Sequence, residues 1–368
     1  MWRALSILIL LSLGGQALAC PICFTGRAVS IGQKLDAADA AVLAQPLSPE
    51  GSYEVVEVVK GNASSLSPVI TNVTPPAAGP AVGGATEHLL LRNRLSGGWS
   101  SLGVIRKGHA GWLRELAAME PLGEPVARLV KSHRAMRPDE GWLKRLRLVA
   151  PYLESADPLA AAIAYGEVAR APYQELRRLK SVLDPAAIAS WIVDPARASR
   201  RSAYTLLLGI TGAATASALV DAALDSAYHS HDASNLSALL AADLELHGVT
   251  RLAWIEQRYF SDRGRTLPEI DAALLALSVQ GAADAAVPRR EIIASYMRFV
   301  DIRKPMAGFV VADLITWKHW GATSKLVDIL RSNALKDPAS RLAVINYLRR
   351  SPMTIQSGEI EQMADLPQ

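Results

Sequence analysis

The chain has 368 residues, of which 50% are hydrophobic and 20% charged, and a formal net charge of +4. That is too apolar for a disordered chain and too weakly basic for charge alone to mark a nucleic-acid binder. Aromatic residues make up only 6% of the chain, alanine is frequent, and the length suits two domains better than one.

Met1, Trp2 and Arg3 open the chain, and the apolar run over 4–13 that follows is broken by Gly14, Gly15 and Gln16. Ala17-Leu18-Ala19 then sets small residues at the two positions that signal peptidase reads. A short positive head, a brief apolar core and A-x-A predict a secretory signal over 1–19, too short to span a bilayer as a helix. Cleavage near Ala19 makes Cys20 the first mature residue and sends the protein to the periplasm or outside the cell. Lipoprotein processing also acts on such a cysteine, but it wants Leu where Ala17 stands and a small residue where Leu18 stands, so a lipid anchor on Cys20 is not favoured. No membrane span is expected further on: "SAYTLLLGITGAATASALV" comes nearest and is interrupted by Gly209, Gly212 and hydroxyl residues, so it reads as two helices and a turn.

Residues 20–120 read as a small β domain. "QKLDAADAAVLAQPL" predicts the end of a short helix over 36–39 and a first strand over 41–47. "SYEVVEVVKG" is the strongest strand signal, with valines partly alternating with Glu54, Glu57 and Lys60. Gly61-Asn62 marks a turn and "PVITNV" a third strand. After the Pro/Gly-rich loop "TPPAAGPAVGGA" come strands at "EHLLLRN" and "WSSLGVIRKG", then a helix at "HAGWLRELAAM". The basic stretch "RLVKSHRAMRPDEGWLKRLRLV" straddles a linker at 121–140; it carries no nucleic-acid motif and reads as a solvated helix face.

Residues 141–368 read as helices in pairs. Asp-Pro recurs at Asp157-Pro158, Asp194-Pro195 and Asp337-Pro338, with further helix starts read at Asp232, Glu269 and Asp301. These positions are spaced 37, 38, 37, 32 and 36 residues apart. Aspartate at an N-cap accepts the unpaired N–H groups of the first turn, and proline at the next position has no N–H to leave unpaired. Gly209 and Gly212 fit a helix stop.

Two resemblances follow. The cysteines, the "DAAVLAQ" and "YEVVEVVKG" strands and the later "HLLL" strand resemble the netrin-like, metalloproteinase-inhibitor-like OB barrel, over about residues 20–120. That family has further cysteines pinning its N-terminal segment, whereas this chain has none after Cys23. The period of about 36 with paired helices is similar to HEAT-type α-solenoids. The whole also resembles a group of exported bacterial proteins of uncharacterised activity. These share a CPxC start, a small β domain and a helical part that opens like "AYGEVARAPY", here residues 164–173. The implied fold class is α+β in two domains: an OB-like barrel, then a HEAT-like solenoid.

Cys20 and Cys23 are the first candidate site. A C-x-x-C pair forms a small disulfide ring, exchanges thiols, or holds a soft metal such as copper or zinc. Phe24 stands where haem attachment needs histidine. A closed zinc site needs four ligands, and two thiolates plus the Cys20 amine fall short. In an exported protein a structural disulfide is the default. The inhibitor resemblance implies a further role, chelation of a protease's zinc by the Cys20 amine and carbonyl. His229, His231 and Asp232 are the second candidate metal set, near Asp225 and His247; a polar loop is the competing reading. His319, between Trp317 and Trp320, reads as aromatic-lined helix surface. Ser100 and Ser101 lack a G-x-S-x-G context, and Glu115 and Glu120 sit on an ordinary amphipathic helix. No catalytic residue and no other cofactor is assigned.

These readings converge on an exported, non-enzymatic scaffold that binds an envelope protein partner through a concave solenoid surface, with no role for nucleic acid. Thiol or metal handling by Cys20 and Cys23 is the alternative, and a netrin-like inhibitor module the third. Intact mass of the mature protein with and without alkylation separates them. A chain starting at Cys20, lighter than the reduced form by two hydrogens and unreactive without reductant, is expected for the scaffold. Free thiols or a retained metal move the weight to the cysteines.

Overall fold

Lys60 and Leu35 belong to segments far apart in the chain, yet the Lys60 ammonium donates to the carbonyls of Leu35 and Asp36 at 2.9 and 2.8 Å. This contact lies where strands meet helices, and the fold is organised around that meeting. The computed structural model describes residues 22, 29–48, 51–76, 85–122 and 139–352. The segment 1–19, both cysteines and most of the basic linker lie outside these.

A short helix, α1 (Ile31–Ala37), opens the described chain and is closed at its start by a capping box of Ser30 and Gln33. Five strands follow: β1 (Ala40–Ser48), β2 (Ser52–Lys60), β3 (Val69–Ile70), β4 (Thr86–Arg92) and β5 (Trp99–Arg106). They form one antiparallel sheet in the order β3-β2-β1-β4-β5. The apolar run at the start of β1 has a positional cause. β1 is the central strand, and Ala40, Ala41, Val42, Leu43 and Ala44 are all fully buried, so neither face is free to be polar. Ala41 and Leu43 join the large core shared with the helices, while Val42 and Ala44 join a separate cluster with Tyr53, Ile70, Val73 and Leu90. The named strands make an open sheet rather than the closed barrel expected. The third strand is also shorter than predicted. Beyond it, Thr74 makes a single parallel bridge to Ser100 of β5, with Thr74 N donating to Trp99 O at 3.0 Å and Ser101 N to Thr74 O at 2.9 Å.

Of the next helices, α2 (Ala110–Ala118) packs on β2 and α4 (Pro158–Arg170) on β5, while α3 (Asp139–Val149) packs on α4 and on α5 (Tyr173–Arg177). Beyond them run α6 (Pro185–Val193), α7 (Arg201–Thr211), α8 (Ala214–Ser230), α9 (Leu236–His247), α10 (Leu252–Ile255), α11 (Leu267–Ala283), α12 (Arg289–Ile302), α13 (Gly308–Thr316), α14 (Thr323–Arg331) and α15 (Pro338–Arg350). A π-helical turn, Glu256–Ser261, continues α10. α7 packs on α9, α9 on α11, α11 on α13 and α13 on α15; α6 flanks α7, α8 flanks α9, and α14 flanks α15. Residues 203–211 of α7 are all buried, and the short α5 packs on both α7 and α11. Gly209, expected as a stop, is inside α7. A Cβ there would stand 2.5 Å from Cα of Ala242, so the glycine sets how closely α7 and α9 approach. Gly212 is the stop, left-handed at φ 65°. None of these helices is long and apolar enough to cross a membrane.

The Asp-Pro signal holds where it was read, and a fourth instance, Asp184-Pro185, joins it. Asp157, Asp184, Asp194 and Asp337 each accept a backbone N–H of the turn they start. The other three starts are corrected. Asp232 lies in the turn after α8, Glu269 is the third residue of α11 behind the true cap Thr266, and Asp301 lies in the last turn of α12. The carboxylate alone does not mark a start; the proline that follows it does.

The basic helix α3 also departs from its sequence reading. Arg145 is fully buried, not solvated. Its Nη2 donates to the two Asp36 oxygens at 2.8 and 3.0 Å, and its Nε donates to Glu167. Arg170 donates to Asp36 at 3.3 Å, to Glu167 and to the carbonyl of Leu122. The Trp142 ring lies 5.0 Å from the Arg170 guanidinium. Two carboxylates and two guanidiniums thus balance inside the protein. Burial opposes charging Arg145, but Glu167 and Asp36 more than offset it and hold the guanidinium above its ordinary range. Gly32 is needed opposite: a Cβ there would fall 1.7 Å from Glu167 Oε1. Nearby, Asp157 caps α4 with one oxygen and accepts from Arg106 N at 2.6 Å with the other, joining β5 to the same helix.

Breaking this quartet leaves an uncompensated buried charge. Glu167→Gln is expected to cost about 3–5 kcal/mol in urea unfolding. Glu57→Gln, which removes the surface partner of Arg114, is expected to cost under about 1 kcal/mol.

Candidate functional site

On α8, polar residues recur every four positions: Ser217, Asp221, Asp225 and His229. Spacing of four puts them on one stripe of the helix. Across from the stripe, Arg251, Trp254 and Arg258 follow a three-four spacing along the α10 segment. The two stripes meet in a seam of alternating charge and aromatic rings.

The rings and guanidiniums interleave. Arg251 lies 4.4 Å from the centre of the Trp254 ring, and Arg258 lies 4.6 Å from Trp254 and 4.5 Å from Tyr228. Arg265 lies 3.9 Å from Tyr228 on the far side. The order is therefore Arg251, Trp254, Arg258, Tyr228, Arg265. Each guanidinium is also matched by a carboxylate: Arg251 by Asp221, Arg258 by Asp225 at 3.4 Å, and Arg265 by Asp262 and Glu269 at 2.9 and 2.8 Å. Cation–π stacking of this kind contributes about 0.5–1 kcal/mol per exposed contact and holds flexible arginines in fixed positions. The π-helical turn supplies the geometry. Its Tyr259 and Phe260 are buried under the seam while Arg258 remains on top.

The candidate metal residues are not brought together. His229 faces Asp225 at 3.8 Å and is largely exposed. His231, left-handed at φ 55°, closes α8 and puts its Nδ1 3.2 Å from Glu269. Asp232 accepts from Ser234 N at 2.8 Å. Among the described residues no group of three or more His, Cys, Asp or Glu is placed to hold a metal ion. Cys20 and Cys23 lie outside the described residues.

The remaining sequence candidates find ordinary places. The backbone carbonyl of His319 accepts from the Tyr347 hydroxyl at 2.7 Å. Ser101 is buried in β5, 3.4 Å from His88. Glu115 lines a shallow groove of about 450 Å³ with Lys144, Arg147 and Arg178. His247 is different, and sequence reasoning noted it only in passing. Its Nδ1 is 2.8 Å from Asp243 Oδ1 and its Nε2 is 3.0 Å from Ser217 Oγ. The four-residue spacing of Asp243, His247 and Arg251 was the signal available for it. The chain matches no family model, no curated protein and no solved structure at a significant level.

Glu269 ties the seam to α11. One of its oxygens accepts from both Thr266 N and Thr266 Oγ1 at 2.8 Å, and the other accepts from Arg265 at 2.8 Å. Burial pushes its pKa up, but the Thr266, His231 and Arg265 contacts outweigh this and hold it below the ordinary range. A carboxyl depressed in the folded state contributes stability above its unfolded value, about 4.3, and that contribution is lost as pH falls through the lower folded value. Glu269→Gln is therefore expected to lower urea stability at pH 7 and to flatten its loss on acidification. Thr266→Ala is expected to cost about 1 kcal/mol by removing the cap hydroxyl.

Proposed function

We propose that this protein is an exported binding scaffold, with an OB-like β part fused to a HEAT-like series of helix pairs, whose partner is a protein of the envelope. The arginine–aromatic seam of α8 and α10 carries this reading. Trp, Tyr and Arg dominate the energetics of protein interfaces, and side chains already held in place lose less entropy on binding. Here Trp254, Tyr228 and three arginines are locked against one another at a partly exposed face. The contact surface in this reading is the seam itself, where Tyr228, Trp254 and Arg258 are partly exposed.

The solenoid part of the proposal is supported by the successive packing of α7, α9, α11, α13 and α15. The OB-like part is supported by the strand order and by the Thr74 bridge, which joins the end of the third strand to β5 around the Val42 cluster. Export rests on the signal-like sequence over 1–19.

A photo-reactive residue placed at Asp225 in cells is expected to give a discrete cross-linked partner. That adduct should be lost on adding Trp254→Ala or Arg258→Ala. The same residue placed at Leu342, exposed on α15, should give none. A pattern identical at the two positions, or absent at Asp225, removes the proposal.

A further inference from the structure

The three side chains at one end of the seam stand in the order of an acyl-transfer triad. Asp243 is fully buried. Its Oδ1 lies 2.8 Å from Nδ1 of His247, and Nε2 of His247 lies 3.0 Å from Ser217 Oγ. The contact fixes the tautomer. With Nδ1–H donating to the Asp243 carboxylate, Nε2 presents a lone pair to the Ser217 hydroxyl, as a general base must. Arg251 holds the second Asp243 oxygen and also Asp221, so the carboxylate cannot rotate away. Ser217 Oγ has a second, longer contact to Asp221 at 3.4 Å.

Two features bear on charge. Burial pushes the Asp243 carboxyl up, even against Arg251 and His247. A carboxylate so poorly solvated gains from a cation forming beside it, and the imidazolium is that cation. Ser217 is the fourth residue of the 17-residue helix α8, whose start has no side-chain cap. Ser217 thus lies near the positive end of the α8 dipole. An oxyanion formed on a carbon attached to Oγ would be stabilised there. The His247 side chain is 30% exposed, which leaves the hydroxyl reachable from solvent.

We infer that Ser217 is an activated nucleophile, with His247 as its general base and Asp243 as the positioning residue, acting on carboxylic esters. In the acylation step the Ser217 hydroxyl proton passes to His247 Nε2 while Oγ forms a bond to the carbonyl carbon, and the carbonyl π pair moves onto oxygen. The oxyanion then collapses, the bond to the leaving alkoxide breaks, and that alkoxide takes the proton from Nε2. Water repeats the sequence to release the acid and restore the hydroxyl. This inference goes beyond the scaffold reading and does not depend on it.

The test uses the full mature chain with a fluorophosphonate probe and p-nitrophenyl acetate. The probe is expected to add once, at Ser217 by peptide mass mapping. Labelling and ester turnover should fall at least about 100-fold in Ser217→Ala and His247→Gln, with circular dichroism unchanged. Asp243→Asn should slow labelling while the peptide mapped stays the same. The cross-linked partner at Asp225 should persist in Ser217→Ala, so the two proposals fail separately. Should Asp243 variants misfold, His247→Gln alone decides. Labelling of Ser217 no faster than of other serines, or equal in His247→Gln, overturns the inference.

Discussion

Charge buried at the junction between strands and helices is the constraint from which the rest of this structure follows. Asp36, Arg145, Glu167 and Arg170 come from α1, α3 and α4, and each is unpayable alone in a dry interior. Together they close a neutral quartet, and they close it in only one arrangement of those three helices. Four directional ion pairs and the Lys60 contact to the carbonyls of α1 add angular constraints that the apolar core does not supply. Gly32 and Gly166 are part of the same constraint: at both, a Cβ would crowd Glu167 or Ser30, and α1 could not approach α4.

From that anchor the helices follow one another. The segment "AYGEVARAPY" contributes Glu167 and Arg170 to the quartet and Tyr173 to a second polar node. There the Tyr173 hydroxyl donates to Glu245 on α9 and accepts from Gln280 on α11 at 2.9 Å. One stretch of sequence therefore links the sheet to the inner row of helices. The seam runs along α8, which flanks α9, and along the α10 segment that follows. Its two proposed roles occupy different ends, the arginine–aromatic stack at one and Ser217 with His247 at the other.

Local signals were legible where one residue's own chemistry decides the outcome. Asp-Pro pairs announced helix starts because cap and proline act within one turn. The apolar β1 announced a strand because burial of both its faces leaves a mark on composition, and β2 because its β-branched valines partly alternate with charged residues. Carboxylates without proline misled at Asp232, Glu269 and Asp301, since an acidic residue serves equally in a turn, a third helical position or a last turn. The basic stretch misled for a related reason. Among its described residues Lys144 and Arg147 are exposed while Arg145 is buried, and only the partners Asp36 and Glu167, 109 and 22 residues away from Arg145, make that difference.

By itself the sequence determined the α+β composition, the five strands in order, the helical second half and several of its caps, because each depends on neighbours within a few residues. The signal-like start and the C-x-x-C pair were legible in the same local way. Only the tertiary structure decided that Arg145 is buried, that α5 packs against α7 and α11, that His229, His231 and Asp232 diverge, and that Ser217, His247 and Asp243 converge. These outcomes depend on which helix faces which, and Ser217 and His247, 30 residues apart, meet at hydrogen-bond distance only once α8 and α9 have packed.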